Sequence, residues 1–165
     1  MNSGCLFWLV GALSLGFFLA SCRDSKNEDL PETLFHGEYD ESAMDRAMAD
    51  ARKSLGHFKE VFAAGRGEGH AVKVAVHDGE DTEHFWLVDI EPSGEGFRGV
   101  LGNEPGIVSN VKEGDVLEAQ GEDLSDWMYL ENNKMHGNYT LRILMPGMAP
   151  EEAQVYEQML APLAK

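Results

Sequence analysis

The chain has 165 residues, 43% hydrophobic and 25% charged, enough for one hydrophobic core with an appendage but too little for two well-buried domains. Its 29 acidic residues against 13 basic give a net charge of −16, so the surface repels nucleic-acid phosphates and anionic lipid headgroups. Nucleic-acid binding is therefore disfavoured, and a charged partner should be basic.

Residues 6–19 are apolar apart from Ser14, and no charged residue precedes Arg23. The run is short for a membrane span and matches the apolar region of an export signal. It leads into Leu19-Ala20-Ser21-Cys22, which resembles a bacterial lipobox. Small Ala20 and Ser21 suit a peptidase subsite, and the Cys22 thiol is the group able to carry a thioether-linked diacylglycerol. Residues 1–21 are thus expected to be a lipoprotein signal peptide, with Cys22 as the lipidation site; an uncleaved membrane anchor is the alternative. Either places the domain at the bacterial cell envelope, and Arg23 after the cysteine favours the outer membrane in a diderm host. Residues 22–41 carry seven acidic and two basic side chains and read as a disordered acidic tether. The other cysteine, Cys5, precedes the cleavage point, so the domain over 42–165 has no disulfide and no cysteine metal ligand.

Ser42 followed by Asp45 resembles a capping box and marks a helix start. Met44, Met48, Ala51, Leu55, Phe58 and Phe62 then make one apolar stripe over 43–64, ended by Gly65. Gly65, Gly67 and Gly69 follow a helix and precede a strand without a Gly-Lys-Ser/Thr, so they read as a connector and not as a phosphate loop. Val72, Val74 and Val76 alternate with polar or small residues in a strand whose turn covers 77–81. A hairpin follows, one strand over 84–90 and a return over 97–101, with Pro92, Ser93 and Gly94 as its turn. Lys112-Glu113-Gly114-Asp115 is a turn, 116–119 a short strand and 126–130 an aromatic-rich strand. Asn132-Asn133 suits the positive φ angles of a tight hairpin back to 134–136. Residues 139–144 fit either a strand or a helix start. Pro150-Glu151-Glu152 opens a last helix with Val155, Met159 and Leu163 on one face. The expected fold class is α+β: a small twisted antiparallel sheet or partly open barrel, flanked by an N-terminal and a C-terminal helix.

Val72-Lys73-Val74, Glu83-His84-x-Trp86, Gly99-x-Leu101-x-Asn103-x-Pro105, Gly114-Asp115 and Asp126-Trp127-Met128, with Gly137 and Thr140 behind them, resemble the YegJ-like bacterial family, a domain of unknown function (DUF 2314). The resemblance covers about 43–144. Members of that family include exported lipoproteins as well as cytoplasmic proteins, so the resemblance is compatible with the lipobox, which makes this chain an expected exported lipoprotein member; it supports the fold and carries over no activity.

Among the candidate chemical groups, His70, His77 and His84 are spaced by seven, which is neither the i, i+4 of a helical ligand pair nor the i, i+2 of a strand pair. They read as exposed turn histidines, and neither a metal nor another cofactor is implied. Glu83 and His84 are adjacent on a strand and point to opposite faces. Lys73 is expected to reach Glu83 as a cross-strand ion pair, and Asp126 to orient His84. No serine or cysteine nucleophile stands in a recognisable context. Trp86, Phe97, Trp127 and Tyr129 are core by default, or else a binding platform rimmed by Asn103 and Pro105. The leading expectation is a lipid-anchored, non-enzymatic envelope module that binds a protein or cell-wall ligand. Its face would include Lys73, Glu83, His84, Trp86, Asn103, Pro105, Asp126 and Trp127. The alternative is a metal-assisted or acid/base enzyme in which Glu83, His84 and Asp126 converge in a cleft.

Overall fold

The structure, a computed structural model, describes residues 39–163, which fall in one compact unit, Thr33–Lys165. The expected signal peptide, Cys22 and nearly all of the expected tether lie outside the described residues. None of the described helices is long and apolar enough to cross a membrane.

Helix α1 spans Glu41–Ala63. Its N-cap is Asp40, whose carboxylate accepts from the Ala43 amide at 3.0 Å, so the expected Ser42–Asp45 box is not the cap. A carboxylate two residues upstream starts the helix earlier, satisfies the orphan amide of Ala43 and adds a negative charge at the positive helix end. The helix stops as expected at Gly65, with φ of 61°. There the Arg66 amide donates to the Val61 carbonyl and the Gly65 amide to that of Phe62, the paired bonds of a Schellman motif. Ala47, Ala51, Phe58 and Val61 form the buried stripe, rotated slightly from the expected one, with Leu55 and Phe62 half-buried at its margin.

The strands are β1 (Glu68–Asp78), β2 (Asp81–Ser93), β3 (Gly96–Leu101), β4 (Val116–Ala119), β5 (Leu124–Glu131) and β6 (Lys134–Gly137). They pair antiparallel throughout in the order β4-β3-β2-β1-β5-β6, an open sheet with β4 and β6 at its edges. The chain then forms α2 (Tyr139–Leu144) and α3 (Pro150–Met159), so the described residues hold three helices where two were expected. Asn132 and Asn133, with φ of 54° and 58°, make the β5–β6 turn anticipated from the sequence.

Two local expectations are corrected. Pro92 lies inside β2, paired with Phe97, and the turn falls after Ser93. A proline fits there because β1 pairs with β2 only as far as Leu87, leaving the Pro92 side of the strand without a neighbour to demand an N–H. On α3, Val155 and Met159 are 56% and 36% exposed while Tyr156 is buried, and Leu163, expected on the same helix face, lies beyond the helix end and is 40% exposed. The inward face is set by the reattachment that follows the helix: the Ala161 amide donates to the Met135 carbonyl at 2.8 Å, and Leu160 bridges to Met135.

The core lies between α1 and one face of the sheet. Val72, Val74, Phe85, Leu87, Phe97, Leu124, Trp127 and Tyr129 meet Ala51, Phe58 and Val61 there. At about 25 cal/mol per Å² of apolar surface removed from water, such a cluster is the main stabilising contribution in a domain without disulfides.

Candidate functional site

The register of β1 decides which side chains meet. Asp78 pairs with Asp81 across a two-residue turn, which sets Lys73 opposite Trp86, Ala75 opposite His84 and Val76 opposite Glu83. On its other edge Lys73 is opposite Asp126, next to a register shift that places Ser125. Lys73, His84, Trp86, Ser125 and Asp126 therefore gather where β2, β1 and β5 run side by side.

Lys73 Nζ lies 4.6 Å from the centroid of the Trp86 ring and donates to Thr140 Oγ1 at 3.1 Å. The Thr140 hydroxyl in turn donates to Asp126 Oδ2 at 2.7 Å. Asp126, with no exposed surface, also accepts from the amides of Trp127 at 2.8 Å, Tyr139 at 3.1 Å and Thr140 at 2.8 Å. This carboxylate takes over the capping of α2, because the N-cap residue Asn138 has a left-handed backbone and makes no side-chain cap. Burial holds the Lys73 pKa down, offset by Asp126, and burial pushes that of Asp126 up, offset by Lys73 and the hydrogen bonds from Thr140 and Trp127.

His84 Nδ1 is 2.9 Å from Ser125 Oγ, and the Ser125 hydroxyl donates to the Lys73 carbonyl at 3.3 Å. With its one proton on that carbonyl, Ser125 receives the Nδ1 proton, and Nε2 is left as an acceptor. Burial of the ring, then the positive charge of Lys73, then His77, lower the His84 pKa to about 4. The imidazole is neutral at pH 7, although the residue as a whole is exposed to solvent, which weakens the effect of burial on the ring.

Glu83 stands apart. It shares a face with Phe85 and Leu87, is 6% exposed, and accepts from the successive amides of Gly106, Ile107 and Val108 at 2.9, 2.8 and 3.1 Å. Asp78 accepts from the Ser109 amide and hydroxyl at 2.8 and 2.7 Å, and Asn110 donates to the His77 carbonyl at 2.8 Å. These bonds clamp the segment that carries half-buried Asn103 and Pro105, whose start is tied to the site by the Gly102 amide on the Trp86 carbonyl at 3.2 Å.

The expected Lys73–Glu83 ion pair is thus absent: the two-residue turn puts them on opposite faces. Glu83, His84 and Asp126 do not converge either, since Glu83 is spent on backbone amides and His84 is oriented by Ser125 and not by Asp126. Trp127 is no platform; it stacks on Phe58 at 5.2 Å under α1 and donates through Nε1 to the Ala51 carbonyl at 3.0 Å. His70 bonds the Arg66 carbonyl at 2.8 Å and stacks on Tyr129, and His77 bonds Thr82. No group of three or more His, Cys, Asp or Glu among the described residues is arranged to hold a metal ion. Sequence reasoning missed Ser125 and the role of Thr140. The available signal was the polar Ser125-Asp126 step in a strand whose other residues up to Tyr129 are apolar and buried.

This architecture is an α+β domain in which a half-buried lysine is hydrogen-bonded to a buried threonine and through it to a buried aspartate, beside a half-exposed tryptophan. The chain belongs to the family described as "Uncharacterized protein conserved in bacteria (DUF2314)", which its residues 41–161 match. It is 42% identical over 125 residues to "Uncharacterized protein YegJ" of Escherichia coli (strain K12), covering 76% of this chain and 82% of that protein. It is also 33% identical over 129 residues to "Putative ankyrin repeat protein NMB1133/NMB1171" of Neisseria meningitidis serogroup B (strain ATCC BAA-335 / MC58), covering 72% of this chain and 51% of that protein. The chain thus spans about half the length of the Neisseria relative. No solved structure matches.

Proposed function

We propose that this protein is a lipid-anchored module of the bacterial envelope that recognises a partner protein or cell-wall component without transforming it. The observation that carries the reading is Lys73 held over the half-exposed Trp86, beside the neutral imidazole of His84. That group offers an aromatic surface, a cation and a hydrogen-bond acceptor within one patch. The polar groups behind it are engaged in structural bonds: Asp126 caps α2, and Ser125 is hydrogen-bonded on two sides. Fixed polar groups beside a part-exposed aromatic suit recognition.

The lipid anchor rests on Leu19-Ala20-Ser21-Cys22. With two or three fatty chains, at roughly 0.8 kcal/mol per buried methylene, attachment would be permanent and resistant to salt. Cys22→Ser is expected to lose labelling by a fatty-acid probe and to escape processing after Ser21; a wild-type N-terminus still at Met1 would refute the anchor. For the binding face, partners are recovered from detergent-solubilised envelope with wild-type and Trp86→Ala bait. Selective loss of a partner by the folded variant supports the face, and equal recovery removes it.

A further inference from the structure

Trp86 has a cross-strand side chain over one face of its ring and none over the other. On β1 its partner is Lys73, whose Nζ lies 4.6 Å from the ring centroid. On the β3 side the Gly102 amide donates to the Trp86 carbonyl at 3.2 Å, so the residue opposite the tryptophan there is a glycine. A Cβ at Gly102 would meet the Trp86 carbonyl at 3.6 Å and the Val88 methyls at 3.7 and 3.9 Å. Val88 and Trp86 are two apart on β2 and share its outer face, so a side chain at 102 would stand on that face beside the indole. Those distances are ordinary van der Waals contacts, and Gly102 is not among the positive-φ glycines of the described residues. Neither packing nor backbone conformation therefore requires glycine at 102. Gly99 on β3 is the contrast, since its Cβ would come to 2.7 Å from the Val88 carbonyl and 2.8 Å from Ile90. The missing side chain at 102 leaves open the ring face of Trp86 turned away from Lys73.

Charge narrows what can lie on that face. An anion there meets a chain of net charge −16 and the exposed Glu104 two residues past Gly102, with the indole standing between it and Lys73. A cation competes with Lys73 for the same π electrons and feels its like charge through the ring. An uncharged ligand remains. The negative face of the indole attracts polarised C–H groups. Two residues along β2, on the same outer face, His84 bonds Ser125 through Nδ1 and keeps Nε2 as an acceptor. A pyranose ring has both complements, a face of C–H groups and an edge of hydroxyls. We infer, on the recognition role proposed above, that Trp86, His84 and the gap at Gly102 form a subsite for one pyranose unit of an uncharged glycan. The sugar stacks on the open indole face and donates a hydroxyl to His84 Nε2.

The test follows the Trp86 and Trp127 indole N–H resonances by NMR while the full chain, in detergent, is titrated with maltotriose, mannotriose and tri-N-acetylchitotriose. At least one should shift Trp86 saturably and leave buried Trp127 unmoved. Trigalacturonate and trilysine should each bind at least about tenfold more weakly than that sugar. Gly102→Leu keeps Trp86, Lys73 and His84 and covers the open face, so calorimetry should find binding weakened at least about tenfold, the scale of one lost aromatic contact. Trp86→Ala should lose it too, and decides the matter if Gly102→Leu does not fold. No saturation by any of the three sugars, equal or tighter binding of trigalacturonate or trilysine, a shift of Trp127 in place of Trp86, or undiminished binding in either folded variant would each overturn the subsite. The recognition role falls separately. An envelope partner lost by Trp86→Ala bait, with no sugar saturating, would remove the glycan and keep the face for a protein; equal capture with no sugar saturating would remove both.

Discussion

On the α1 side of the sheet, Phe58 lies 5.2 Å from both Trp127 and Phe97, and Tyr129 stacks 6.0 Å from Trp127. Around Lys73, by contrast, the contacts are polar and run from half-buried Lys73 to Thr140 to Asp126, and a second aromatic, Trp86, remains half-exposed under the lysine. The two tryptophans stand on strands of one sheet with opposite surroundings. Trp127 finds acceptors on α1 for its indole N–H and disappears from solvent; Trp86 has a charged neighbour and an open side. The difference teaches that residue type did not decide their roles. Strand parity did, and parity is set by the turns.

The sharpest way to break that comparison is to truncate each tryptophan. Trp127→Ala removes a ring packed against Phe58, Tyr129 and Tyr139 and should cost about 3–5 kcal/mol of unfolding free energy. Trp86→Ala should stay within about 1 kcal/mol, as half-exposed sites away from the core do. Denaturant unfolding with unchanged m-values measures both, and equal losses would erase the distinction between the faces.

Next in size is Asp126→Ala. It withdraws the acceptor for three amides and the Thr140 hydroxyl and leaves Lys73 and Arg142 without their shared anion. Removing one partner of a buried charge pair typically costs about 3 kcal/mol or more, and amide exchange should rise in α2 before it rises in α1. A uniform loss over both helices would show that Asp126 is not the cap of α2.

A smaller effect is expected for Glu83→Gln. The amide side chain keeps the shape but loses the charge that three successive N–H groups share, a change of about 1–3 kcal/mol. The consequence should be local: faster exchange at Gly106, Ile107 and Val108, with β1 and β5 protected as before. Exchange unchanged at those three amides would mean that Asp78 and Asn110 hold the segment unaided.

Much of the fold was legible because it is local. The α1 stripe, the stop at Gly65 and the Asn132-Asn133 turn follow from residues within a few positions of one another. The site was less legible, for a stated physical reason. Reading the first turn as 77–81, when it is the two residues between Asp78 and Asp81, set Lys73 beside Glu83 and took it away from Trp86, since a slip of one residue flips every side chain to the other face. Thr140 and Asp126 meet across a hairpin and a left-handed Asn138, and the sequence writes no period for such a contact. Val155 and Met159 looked inward by helical spacing, yet the docking of the segment after α3 turned them out.

The last and smallest effect is a pH dependence that tells how far water reaches the His84 ring, which is hydrogen-bonded to Ser125 on a residue exposed to solvent. The folded pKa of His84 is lowered from 6.5 to about 4, first by burial and then by the charges of Lys73 and His77. Between those values the unfolded chain binds a proton that the folded chain refuses, so stability must fall as pH drops from about 6.5 to about 4, and the loss is complete once both states are protonated. Because His84 is exposed, solvent softens this penalty, so the expectation is one of sign and window. His84→Gln keeps a side chain able to bond Ser125 and removes the titration. Its denaturation midpoint should vary less with pH over that window than the wild type, with the curves parallel above pH 7. An imidazole that titrates near 6.5 by NMR in the folded chain would show that water reaches the ring freely. The patch beside Lys73 and Trp86 would then carry a second positive charge in mildly acidic surroundings, and its preference would move toward anionic groups.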